Sequence, residues 1–179
     1  MSSSPDAPQR LDRMTRRRAA VVIIGVFLAA GVAIGLIWPH LVPDVDMVMT
    51  QVGPYPVTEA DAGDLMSMDA WYALLGGGAA LLIGAVLGAI YIRFGVATVL
   101  TLLVGASVAA VVALAVGTLS AGGEVLLAWE PQVPEQTELT APVMLHAYGV
   151  MLAWPVAALA PMIPLAWLGW EHDGNPERA

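Results

Sequence analysis

Long apolar runs broken by short polar stretches set the pattern of this chain. Hydrocarbon about 30 Å thick takes about 20 helical residues to cross. Four runs reach that length, over 19–38, 70–92, 95–119 and 143–170. None has an Asp, Glu, Lys or Arg in its interior. The pattern predicts an all-α membrane protein, a single four-transmembrane-helix bundle over 19–170. The outer loops are 39–69 and 120–142. A disordered Arg-rich cytoplasmic tail, 1–18, precedes the bundle, and a second tail, 171–179, follows it. The first run follows an arginine cluster, as a signal peptide does. It is longer than a signal core, and IGLIWPHLVP has no small-residue cleavage site. A retained signal anchor is expected.

Within the spans, small residues recur every four positions. The first has Gly31 and Gly35. The second has Gly76, Ala80, Gly84 and Gly88, and the third has Gly105, Ala109, Ala113 and Gly117. Positions four apart share a helix face, and small residues let membrane helices approach closely. The tight turn at Arg93 predicts that the second and third spans form an antiparallel hairpin, stripe against stripe. Pro155, Pro161 and Pro164 predict bends in the fourth span. With nothing ionisable beside them, these bends are expected to be architectural.

The first outer loop changes period. VDMVMTQ alternates as a strand does, with Gly53–Pro54 as the turn and YPVTE as the return strand. A short extracellular β-hairpin is expected there. An acidic, partly helical lead-in to the second span follows it. The second outer loop, WEPQVPEQTELTAPV, is expected to be irregular.

Composition sharpens the class. The 179 residues are 58% hydrophobic and 12% charged, against about a quarter charged in soluble domains. There is no cysteine, which excludes disulfides and thiolate chemistry. The net charge of −8 excludes the broad basic face a nucleic-acid binder needs.

Charge also orients the chain, because basic residues stay on the cytoplasmic side. Arg10, Arg13, Arg16, Arg17 and Arg18 precede the first span, Arg93 lies in the turn between the second and third, and Arg178 follows the fourth. The outer loops hold no arginine and instead carry Asp44, Asp46, Glu59, Asp61, Asp64, Asp69, Glu124, Glu130, Glu135 and Glu138. A multi-pass plasma-membrane protein with both termini cytoplasmic is expected. Trp38, Trp71, Tyr72, Trp129, Trp167 and Trp170 lie near span ends, as interfacial aromatics do.

Candidate chemistry is sparse. Met47, Met49, Met66 and Met68, with His40 and His146, form a thioether–imidazole set suited to Cu(I). The competing explanation is adaptable packing by methionine. Haem between His40 and His146 has only their matched depth in its favour. The expected role of His146 is a hydrogen bond to a loop carboxylate or carbonyl. Transport by this chain alone lacks the intramembrane ionisable groups that carriers use. No hydrolase, Walker or dinucleotide motif is present, so no enzyme and no cofactor is expected.

TAPVMLHAYGVMLAWPVAAL, Thr140 to Leu159, resembles the last-span motif of small actinobacterial membrane proteins grouped as domain of unknown function 2567. An arginine-led first span ending in Trp–Pro is similar too. So are the loop elements Glu59-Ala60-Asp61 and Asp69-Ala70-Trp71-Tyr72 and the hairpin around a basic turn. The resemblance covers about 16–170. It departs at the inner turn, where relatives often carry several arginines and this chain has only Arg93. It implies a four-helix integral membrane protein and no activity. The expected role is a non-enzymatic scaffold or accessory subunit of a plasma-membrane or cell-envelope complex. Its partners are the bilayer and a membrane protein or further copies of itself. The alternative is a transporter-accessory or copper-handling protein using the outer Met/His residues.

Overall fold

The computed structural model describes residues 7–51, 53–121, 138–141 and 143–173. Five α-helices are present: α1 (Ala7–Ile37), α2 (Glu59–Tyr91), α3 (Val96–Ser120), α4 (Ala153–Leu159) and α5 (Met162–Asp173). Short 3₁₀ turns occupy Trp38–His40, Ile92–Phe94 and Tyr148–Leu152. Three strands, β1 (Asp46–Thr50), β2 (Gly53–Pro56) and β3 (Glu138–Thr140), form one antiparallel sheet in the order β2-β1-β3. Four segments are long and apolar enough to cross a membrane: Met14–His40, Glu59–Phe94, Val96–Ser120 and Tyr148–Trp167. The protein is an all-α, multi-pass membrane protein. Val26, Leu82, Val86, Leu100, Val104, Val111 and Val156 are exposed on its helices, as side chains that meet lipid are.

The helices begin and end differently from the sequence expectation, for local reasons. The Arg-rich segment expected to be disordered is helical from Ala7 onward. α2 starts eleven residues before the expected span, at a capping box. The Thr58 N–H donates to Asp61 Oδ2 (2.8 Å), and the Asp61 N–H donates to Thr58 Oγ1 (3.2 Å). Such a pair satisfies two first-turn donors at once. The resulting 33 residues span about 50 Å at 1.5 Å each, well beyond the hydrocarbon thickness. The Ile92–Phe94 turn ends in Gly95 at φ 57°, a left-handed conformation that favours glycine. The fourth span begins in the 148–152 turn, five residues later than expected, and breaks into α4 and α5 around 160–161. Pro155 and Pro164 sit third in α4 and α5, in first turns where no helical N–H is missed. Pro161 lies at the break itself.

The sheet also departs from expectation. β1 and β2 form the expected hairpin, with Met47 opposite Pro56 and Thr50 opposite Gly53. Gly53–Pro54 therefore belongs to the return strand, and the chain already turns at Gln51. The second loop, expected to be irregular, contributes β3, with Asp46 opposite Thr140. Its remainder, 122–137, lies outside the described residues. The Ala141 N–H donates to the Val45 carbonyl at 2.8 Å. Val45, Ala141 and Leu145 are buried where the sheet meets the bundle.

The largest departure lies in which helices pair. α2 and α3 are joined by the tight turn yet touch only lightly. The intimate contacts are between α1 and α3, and between α2 and α4. Chain direction makes each of these pairs parallel. α3 also packs on α4, and α1 on α2, so the helices run α1–α3–α4–α2 around the bundle. The stripes do mark contacts, but not against each other. A methyl group at Gly31 would lie 2.7 Å from the Ala109 carbonyl oxygen, and one at Gly35 equally close to that of Ala113. Gly105 lies against Phe27 and Gly117 against Trp38. The α2 stripe faces the fourth span instead: Gly76 meets Trp154, Gly84 meets the Ala158 backbone, and Gly88 meets Met162. Ala80 is fully buried within the same stripe.

Candidate functional site

The core holds three large polar-tipped aromatics near the acidic end. Trp38 comes from the turn after α1, Tyr72 from α2 and Trp154 from α4. All three are completely buried. Trp38 and Tyr72 meet edge to face, with ring centroids 5.2 Å apart at 70°. Tyr72 and Trp154 are 6.2 Å apart at 48°. Both separations lie in the favourable range for aromatic pairs. The Trp38 Nε1–H donates to the Met68 carbonyl at 3.0 Å, and the Tyr72 hydroxyl donates to the Ala110 carbonyl at 2.6 Å. Tyr72 thus ties α2 to α3, Trp38 ties the end of the first span to α2, and Trp154 brings in the fourth. All four spans meet here. Trp38 and Tyr72 are thus buried inside the bundle, each satisfying its polar tip on an interior carbonyl. Trp71 and Trp167 are exposed; Trp129 and the side chain of Trp170 lie outside the described residues.

Asp69 sits one turn above Tyr72 on the same face of α2. Expected in the outer loop, it is instead buried, 9% exposed. Its two carboxylate oxygens accept separate backbone N–H groups, Oδ1 from His146 at 3.0 Å and Oδ2 from Ala147 at 2.8 Å. Ala147 is the residue that opens the Tyr148–Leu152 turn. The carboxylate therefore caps the entrance of the fourth span, where unpaired N–H groups and the positive helix end favour a negative charge. His146 Nδ1 lies 3.9 Å from Asp69 Oδ1. His146 meets the carboxylate through its backbone N–H, while its imidazole, expected to make such a bond, lies beyond hydrogen-bond distance.

This arrangement holds rather than reacts. Both Asp69 oxygens are engaged, and the Tyr72 proton is donated to a backbone carbonyl. Among the described residues, the Trp154 indole N–H is the one buried side-chain polar atom without a partner. The four residues of this clasp (Asp69) and aromatic box (Trp38, Tyr72 and Trp154) were not candidate site residues from sequence. One signal was there to find. Asp69 and Tyr72 are three apart, so once α2 reaches back past 70 they fall on one helix face.

The members of the Met/His set differ in exposure and in the elements that carry them. Met47 is half-buried against the core and Met49 half-buried on the same strand. Met66 is 77% exposed whereas Met68 is 1% exposed. The pair lies on a helix, where positions two apart diverge by about 200°. Met66 and Met68 cannot both face one ion. His40 is exposed on the turn after α1. Among the described residues, no group of three or more His, Asp or Glu gathers.

No family model, curated protein or solved structure matches the chain. The resemblance to domain of unknown function 2567 thus rests on its quoted motifs alone.

Proposed function

We propose that this protein is a non-enzymatic scaffold or accessory subunit, lying in the plasma membrane with both termini cytoplasmic. Its acidic end, the sheet and the projecting start of α2, engages a partner outside the membrane. One observation carries this reading. The buried polar groups that could do chemistry are spent on architecture: Asp69 on two backbone N–H groups, Tyr72 and Trp38 on carbonyls. What is left for recognition is the acidic end, where Tyr55, Val57 and Met66 are exposed beside Asp44, Asp46 and Glu59. Exposed aromatics among polar neighbours are common anchors of protein interfaces.

A photo-crosslinking residue at position 55, with one at lipid-facing position 82 as control, tests this in native membranes. The expected result is a discrete heteromeric adduct from position 55 alone. Adducts of the chain only with itself would overturn the accessory reading in favour of a self-assembling protein.

A further inference from the structure

The basic end of the bundle carries a groove that the proposed outer interface does not use. It lies between α1 and the start of α3, a shallow depression open to the outside and lined by Arg16, Ala20, Ile23, Phe94, Ala97 and Thr98 among others. Its floor is apolar, with Ile23 buried. Its rim is cationic. Arg16 lines the mouth directly. The Arg93 guanidinium lies 4.8 Å from the Phe94 ring centroid, so a second cation stacks on a residue that lines the groove. Phe94 is itself stacked on Tyr91, with centroids 6.3 Å apart at 19°. The Thr98 hydroxyl donates to the Tyr91 carbonyl at 2.6 Å, which pins the turn carrying Arg93. Arg17 and Arg18 are exposed next to Arg16.

The α3 N-terminus opens at this end too, and Gly95 gives it no side-chain cap. Its first N–H groups and positive dipole end add to the arginines' field. The Thr98 and Thr101 hydroxyl protons are already donated to carbonyls, so guanidinium and backbone N–H groups supply the donors. Positive groups over an apolar floor, at the depth where a membrane helix leaves hydrocarbon, match one chemistry: a phosphate ester bearing acyl chains.

We propose that this groove binds an anionic phospholipid. Its phosphate lies between Arg16 and Arg93, and its first acyl carbons lie against Ala20, Ile23 and Ala97. Arginine suits the task because its planar fork meets phosphate oxygens two at a time.

The test is native mass spectrometry of the full chain in detergent, titrated with phosphatidylglycerol or phosphatidylcholine. Phosphatidylglycerol is expected to bind in preference. Arg16→Gln with Arg93→Gln is expected to weaken it about 30-fold, at roughly a factor of five or six per surface arginine. Ala20→Phe, which fills the groove and leaves every charge in place, is expected to weaken both lipids. Melting midpoints without lipid check that each variant folds. Equal binding of the two lipids would sink the proposal, as would undiminished phosphatidylglycerol binding by the folded Ala20→Phe chain. Full displacement of phosphatidylglycerol by millimolar inorganic phosphate would replace it with a free-anion site.

Discussion

The two parallel helix pairs use the same residue type in opposite ways. In the α1–α3 seam, glycine meets backbone on a regular register: Gly31 faces Ala109 and Gly35 faces Ala113, with Phe27 over Gly105 and Trp38 over Gly117 closing its length. Both helices contribute small residues, and the pair runs unbroken. In the α2–α4 seam, small residues come chiefly from α2, and the fourth span answers with bulk. Trp154 sits on Gly76 and, past the break, Met162 of α5 sits on Gly88, while Gly84 meets the Ala158 backbone and Gly77 lies more loosely against Ala153 and Ala157. The first seam brings two backbones together. The second makes room for side chains, and this is how the Trp154 indole reaches the aromatic box. A proline-broken span suits the second seam, because large side chains can meet a neighbour that a straight, close-approaching backbone would exclude.

Substitutions can break this comparison in order of expected effect. Gly76→Ala and Gly84→Ala should be the most damaging, losing about 3 kcal/mol or more, since overpacking costs about 1–3 kcal/mol and neither neighbour can yield. Trp154 is buried among rings, and the Ala158 contact is backbone. Unfolding midpoints in detergent would measure this, and near-wild-type values would refute the close approach. Gly31→Ala and Gly35→Ala should follow at about 2 kcal/mol, because the helices can separate slightly to clear a 2.7 Å contact.

Asp69→Ala should cost about 2 kcal/mol, as expected when buried hydrogen bonds to a charged group are lost. Asp69→Asn should recover part of that, because it keeps one acceptor. Faster hydrogen exchange at His146 and Ala147 in Asp69→Ala would show that the clasp, rather than the helix, has opened. Gly88→Ala should cost less than about 1 kcal/mol, because the contact is the flexible tip of Met162. Gly25→Ala and Gly78→Ala, with nothing within 4 Å, should change stability by about 0.5 kcal/mol or less. A loss at Gly25 or Gly78 as large as at Gly31 would refute close helix contact as the cause, because helix propensity by itself favours alanine over glycine.

Several misplaced features share one cause, the reach of α2. Its start is decided by Thr58 and Asp61, four residues of polar sequence that read equally as loop. Once the capping box is formed, 59–69 become helix. That turns Met66 and Met68 away from each other and carries Asp69 onto the face that holds Tyr72. The β3 strand went unread because its partner, β1, lies some ninety residues earlier and ELT has too little length to alternate visibly. The turn at Arg93 was legible because Gly95 and a lone polar residue interrupt two apolar runs.

Sequence by itself determined the membrane class, the four spans and the absence of arginine from the acidic outer loops. These are sums over local composition, and hydrocarbon thickness reads them directly. Sequence also showed which positions lie at helix contacts, because only small residues permit close approach. Tertiary structure alone decided which stripe meets which. Lipid-facing side chains are as apolar as buried ones, so no gradient of polarity tells one helix face from another. The partner is then chosen by shape, by a Trp that needs a glycine beneath it and a carbonyl within reach. Those complements lie thirty to eighty residues away along the chain.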